Sequence, residues 1–117
     1  MLSSITKTLR LATVLATSAT ALVVVEYDRY TLANCSSGLG KSTAAEGYCV
    51  NLANFPTVSY SASVTSGECE DPAASPVFSV YGNRNCESGL IDAIDVGAEA
   101  QCIEADVTIQ SVGVTCV

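Results

Sequence analysis

The chain of 117 residues contains no histidine and no tryptophan, and only five basic residues stand against twelve acidic ones. Without histidine, neither a Ser-His-Asp nor a Cys-His arrangement can be assembled, which removes the commonest hydrolase mechanisms. Zinc is disfavoured on the same ground and by spacing. The closest cysteine pairs, Cys35 with Cys49 and Cys102 with Cys116, each have thirteen residues between them, far from the short ligand spacings of structural zinc sites. The shortage of cations excludes more. Phosphate backbones are held by clustered Lys and Arg that replace their counterions, whereas Arg29, Lys41 and Arg84 are scattered along the chain. Nucleic acid and anionic membrane surfaces are therefore not expected as partners. With no tryptophan, five tyrosines and two phenylalanines, the chain also lacks the stacking aromatics that line most sugar-cleaving clefts.

What is present begins with a leader. Lys7 and Arg10 precede a charge-free run of apolar and small residues from Leu11 to Val25, the layout of a secretory signal peptide. Ala19-Thr20-Ala21 supplies the small-x-small pattern for cleavage after Ala21. Fifteen residues diluted by Thr13, Thr17, Ser18 and Thr20 fall short of the ~20 apolar residues that span a bilayer, so no membrane anchor is expected to remain. The product, a single domain from 22 to 117, keeps three basic against twelve acidic residues, a formal charge of −9. All six cysteines, Cys35, Cys49, Cys69, Cys86, Cys102 and Cys116, lie in that domain. An even count in a short exported chain reads as three disulfides. A core this small is modest, so bridges of roughly 2–4 kcal/mol each matter to its stability.

An internal repeat is the most informative pattern. An offset of 51 residues superposes Tyr30-Thr-Leu-Ala-Asn34-Cys35-Ser-Ser-Gly38 on Tyr81-Gly-Asn-Arg-Asn85-Cys86-Glu-Ser-Gly89, sharing Tyr-x3-Asn-Cys-x-Ser-Gly. Tyr27 falls on Phe78, and Cys49 falls two residues from Cys102. Each half ends in an alternating stretch, Val58–Val64 and Val107–Val114, that reads as a half-buried strand, followed by Cys69 or Cys116. The halves, about 22–70 and 71–117, meet in Glu68–Pro76, where two prolines and three acids suit an exposed connector. Val23–Tyr30 and Val77–Tyr81 are further strands, and the pattern as a whole predicts an all-β sandwich or barrel. The segment 89–102 reads as a loop or a single helical turn. Tyr27, Tyr30, Phe55, Tyr60, Phe78 and Tyr81 are expected in a small core.

Several motifs invite chemistry that their context discourages. Gly38-Leu-Gly-Lys41-Ser42 looks like a phosphate loop, but Cys35 stands where its first glycine belongs, so it reads as a flexible loop. Asp92 with Asp95, or Glu104 with Asp106, could serve as the two carboxylates of a glycoside hydrolase. A solvated acidic face explains them more simply, and the same holds for Glu68, Glu70 and Asp71. Asn34-Cys35-Ser36 satisfies the N-glycosylation pattern, but its middle residue is a disulfide candidate.

The aromatic strand, then Tyr-x3-Asn and a glycine-containing hairpin, then a distal strand with serine before alternating apolar residues, resemble the Greek-key repeat of the βγ-crystallin superfamily. The resemblance covers Tyr27–Val64 and Phe78–Val114. It implies two Greek-key motifs from an internal duplication, paired into a two-sheet sandwich. The family commonly has an aromatic where Cys35 and Cys86 stand, and its glycine comes one residue earlier. Small secreted members look like microbial killer toxins, antimicrobial proteins and metalloproteinase inhibitors. The chain is also similar to the small secreted cysteine-rich proteins of fungi, many of which are effectors. The calcium trait of the family maps onto Asn54–Ser59 and Asp106–Ser111, which have lost the second and fifth ligand positions, so no metal and no cofactor is expected. By pseudo-symmetry the bridges are expected as Cys35–Cys49, Cys86–Cys102 and a Cys69–Cys116 clasp, one of fifteen connectivities. The expected function is that of a secreted, non-enzymatic toxin-like or effector protein acting on an unknown protein or cell-surface target. The alternatives are a protease inhibitor presenting Asp71–Pro76 and a carboxylate glycosidase. N-terminal sequencing of the exported protein is expected to start at Leu22, within about two residues, and a product retaining Lys7 would disprove the leader.

Overall fold

The computed structural model describes residues 21–117, so the expected leader, up to its last residue, lies outside the described residues. The described chain forms nine strands: β1 (Val24–Leu32), β2 (Ser36–Gly38), β3 (Ser42–Ala45), β4 (Cys49–Asn51), β5 (Pro56–Ser66), β6 (Pro76–Tyr81), β7 (Leu90–Asp95), β8 (Gln101–Thr108) and β9 (Ser111–Cys116). A 3₁₀ turn at Arg84–Cys86 is the one helical element among the described residues. No helix there is long and apolar enough to cross a membrane.

The strands build two antiparallel sheets. The first runs β2-β1-β5-β8, with β3 also paired to β1, and the second runs β4-β9-β6-β7. Alternation along the strands decides what lies between them. Val25 and Tyr27 of β1, Tyr60 and Ala62 of β5, Phe78 and Val80 of β6, and Val112 and Val114 of β9 are all buried. Period-two strands thus turn one apolar row inward from each sheet. Phe78 joins the two faces, its ring 5.5 Å from that of Tyr27 and 6.3 Å from that of Tyr60. Tyr30 and Tyr81 are half-buried, and Phe55, expected in the core, is 49% exposed.

The repeat pattern corresponds to a hydrogen-bonded corner that occurs twice. Asn34 and Cys35 have φ of 59° and 54°, and Asn85 and Cys86 have φ of 71° and 53°. Two successive left-handed residues are costly for any side chain but least so for Asn, whose short amide tolerates that region. A buried serine from the distal strand compensates. The Cys35 N–H donates to Ser59 Oγ at 2.9 Å, and the Ser59 hydroxyl donates to the Leu32 carbonyl at 2.7 Å. In the second corner the Cys86 N–H donates to Ser111 Oγ at 3.0 Å and Ser111 donates to the Asn83 carbonyl at 2.6 Å. These are the serines that the calcium reading had placed as ligands, and their oxygens are committed to backbone.

Three further expectations are corrected. The first concerns the bridges, which are Cys35–Cys102, Cys49–Cys86 and Cys69–Cys116, with Cα separations of 6.0, 6.0 and 5.9 Å. Only the clasp is as expected. β4 leaves the strands of its own half to pair with β9, which carries Cys49 to the corner of Cys86, and β8 pairs with β5 beside Cys35. The second concerns 89–102, which holds strand β7 in place of a loop or helical turn. Leu90, Ile91 and Ile94 suggested a helical face, yet Ile94 and Val96 turn inward at period two while Leu90 and Ile91 remain exposed. The third concerns Val107–Val114, which is not one strand. The chain crosses from the first sheet to the second at Ile109-Gln110, where buried Ile109 fills the passage and the Gln110 N–H donates to the Tyr81 carbonyl at 2.8 Å.

Replacing either corner serine strands a buried N–H and a carbonyl together. Ser59→Ala and Ser111→Ala are each expected to lower unfolding free energy by about 1–3 kcal/mol, measured by urea unfolding of the oxidised protein. A change below about 0.5 kcal/mol at either position would refute the role of that corner.

Candidate functional site

An exposed aromatic held by charged side chains lies on the loop Leu52–Phe55, which carries the chain from β4 in one sheet to β5 in the other. Leu52 is buried, and its N–H donates to the Gln110 carbonyl at 2.9 Å. The following residues cannot continue either ladder, so their carbonyls need other donors. Arg29 Nη1 donates to the Ala53 carbonyl at 2.8 Å, and Arg84 Nη1 donates to the Leu52 carbonyl at 3.5 Å. Two of the three cations between residues 22 and 117 thus hold one loop. The Arg29 guanidinium also lies 5.9 Å from the centroid of the Phe55 ring, within cation–π range. Burial pulls Arg29 below its ordinary value, opposed by the negative charge of Tyr27 when ionised and of Asp28. Asn51 and Asn85 close the base of the loop, with Asn85 N–H donating to Asn51 Oδ1 at 2.7 Å and Asn51 Nδ2 to Asn85 Oδ1 at 3.0 Å.

The residues singled out in the sequence are placed as follows. All six cysteines are bridged and none is free. Asp92 and Asp95 are three apart on β7 and therefore face opposite ways. Asp92 turns inward, where Asp92 Oδ2 accepts the Tyr60 hydroxyl at 3.2 Å, while Asp95 is exposed. Glu104 and Asp106 share the exposed side of β8, but both Glu104 oxygens accept the Asn34 N–H, at 3.0 and 3.3 Å. Glu68, Glu70 and Asp71 are exposed, and no group of three or more Cys, Asp or Glu among the described residues is arranged to hold a metal. Lys41 is exposed and pairs with Glu26 at 3.5 Å. The segment Asp71–Pro76 forms a closed turn. Asp71 Oδ1 accepts the Ala73 N–H at 2.9 Å, its carbonyl accepts the Ala74 N–H at 2.9 Å, and Ser75 exchanges two backbone bonds with Val117. A loop that lies in a protease cleft as an added strand needs its backbone groups free, and those of this turn are engaged internally.

The sequence reading missed the 52–55 loop because it placed Phe55 in the core. The available signal was Asn54-Phe55-Pro56, an aromatic flanked by turn formers. Compared with protein-family models, curated proteins and solved structures, the chain matches none.

Tyr60 sets an alkaline limit on the fold. Burial, reinforced by the charge of Asp92 and by the hydrogen bond to it, pushes the Tyr60 phenol well above its ordinary value. A group whose folded pKa is raised contributes stability below its unfolded value, and that stability is lost as pH rises. Unfolding free energy is therefore expected to fall above about pH 10, where an unfolded tyrosine ionises. Urea unfolding at pH 8 and pH 11 should show a smaller fall for Tyr60→Phe, and an unchanged fall would overturn the assignment.

Proposed function

We propose that the chain is a secreted, non-enzymatic protein of toxin-like or effector type, and that it acts by binding a protein on the surface of another cell through the Leu52–Phe55 loop. The observation that carries this reading is the exposed Phe55 on a loop fixed by Arg29 and Arg84. An aromatic held in place before contact pays little ordering entropy on binding, and aromatic and Arg side chains dominate interface energies. Three disulfides in a domain of this size suit persistence in an oxidising environment. The exchange of β4 and β8 between sheets and the twice-built serine corner support reading the architecture as two Greek-key motifs of βγ-crystallin type, derived from one ancestral motif.

The test is Phe55→Ala in a fluorescently labelled, oxidised protein applied to a panel of responsive cells. Binding and effect are expected to drop by roughly 2 kcal/mol, close to thirty-fold, with the thermal midpoint unchanged because the ring is half exposed. Undiminished activity of Phe55→Ala would remove the loop from the mechanism. Turnover of a polysaccharide, abolished by Asp92→Asn, would replace the reading with a catalytic one.

A further inference from the structure

A second feature, on the outer face of the first sheet, has the makings of a ligand site. Glu26, Asp28 and Tyr30 alternate along β1 and so share one face. The register sets Ser63 opposite Glu26 and Ser61 opposite Asp28, and sets Cys102 of β8 beside Ser61. The Cys35–Cys102 bridge and the chain between β2 and β3 wall this face into a groove of about 220 Å³. That is below the roughly 300–1,000 Å³ of pockets for drug-sized molecules and suits a single side chain or sugar ring.

Asp28 is the unusual member. It is a carboxylate only 8% exposed. One oxygen accepts the Gly40 N–H at 3.1 Å, and among the described residues no donor reaches the other. Gly38 lies so close that a Cβ there would come 2.6 Å from Asp28 Oδ2, so the absent side chain leaves that oxygen room. Acidic residues usually mark only a solvated face, and the second corner shows that this one is different. There, Tyr81, Cys86 and Cys49 line a matching groove of about 190 Å³, with Ser79 at the place of Asp28 and Gly113 at that of Ser61. The second corner and its bridge therefore form with no carboxylate in their groove, so Glu26 and Asp28 are additions to the corner motif and not part of it.

We propose that this groove binds a primary ammonium group carried on a lysine side chain or an amino sugar. An ammonium offers three donors and no acceptor. The groove offers the Asp28 and Glu26 carboxylates as acceptors and the Tyr30 ring as an apolar and cation-stabilising wall, and the Ser61 hydroxyl, 2.9 Å from the Tyr30 hydroxyl in a hydrogen bond, keeps a second lone pair for an incoming donor. Calcium is usually held by several carboxylates, and no group of three or more Cys, Asp or Glu among the described residues is arranged to hold a metal. The chain's own Lys41 already rests at the rim on Glu26, 69% exposed, in a pair weak enough for an incoming ammonium to displace. The surplus of carboxylates over cations favours the encounter. The proposal is independent of the Phe55 loop and of the effector reading.

The experiment is an NMR titration of the exported, oxidised protein with Nα-acetyl-lysine methylamide and with glucosamine, using the norleucine analogue and glucose as uncharged counterparts. Signals of Tyr27–Tyr30 and Ser61–Ser63 are expected to shift with at least one ammonium ligand and not with its uncharged counterpart. Those around Ser79–Tyr81 should stay fixed. Whether the lysine or the glucosamine titrates identifies the source. Asp28→Asn, or Glu26→Gln where the buried change impairs folding, is expected to weaken binding about ten-fold, and Lys41→Ala to strengthen it. Absence of shifts with both ammonium ligands, equal shifts with the uncharged pair, or full binding by a folded Glu26→Gln and Asp28→Asn would overturn the site.

Discussion

The exchange of one strand from each half between the sheets is the constraint on which the rest of this structure depends. Because β4 pairs with β9 and β8 pairs with β5, neither half of the chain can complete its sheet alone, and the apolar rows of the halves close on each other through Tyr27, Phe78 and Tyr60. The bridges follow the exchange. Cys35–Cys102 and Cys49–Cys86 each cross from one half to the other, and Cys69–Cys116 joins the segments that end β5 and β9. Cross-links over sequence separations of 67, 37 and 47 residues limit the unfolded chain most where loops are long. A small core is thereby supported by topology and by covalent closure together.

The same exchange creates the two surfaces proposed as binding sites. Crossing from β4 to β5 leaves residues 52–55 outside both ladders, and the carbonyls of Ala53 and Leu52 accept Arg29 and Arg84, which hold the loop with Phe55 in the open. Laying Cys102 beside Cys35 closes one end of the groove over Asp28. An acidic chain thus places two of its few cations on a loop and a buried carboxylate in a groove, and neither placement is needed to build the serine corners.

Residue by residue, the legible part was the part with a local cause. The repeated Tyr-x3-Asn-Cys-x-Ser-Gly was visible as a pattern, and its physical reason, Asn tolerating a left-handed backbone at 34 and 85, came with the structure. The alternation around Tyr60 and Phe78 announced strands because side chains on a strand turn to opposite faces. Leu90, Ile91 and Ile94 misled because three apolar positions in five fit a helix as well as a strand, and the buried partners that decided for the strand, Phe78 and Tyr60, lie elsewhere in the chain. Phe55 misled because hydrophobicity alone does not say which side of a crossing a ring occupies.

By itself, the sequence determined the all-β class, the repeated Tyr-x3-Asn-Cys-x-Ser-Gly pattern, three of the six aromatics expected in the core, Tyr27, Tyr60 and Phe78, and the exclusion of histidine-dependent chemistry, since each rests on residue type or on short-range periodicity. Only the tertiary structure decided the strand exchange, the pairing of Cys35 with Cys102 and of Cys49 with Cys86, the exposure of Phe55 and the enclosure of Asp28. These depend on which distant strands become neighbours, and that choice is made by the joint burial of two apolar faces, a property no single segment carries.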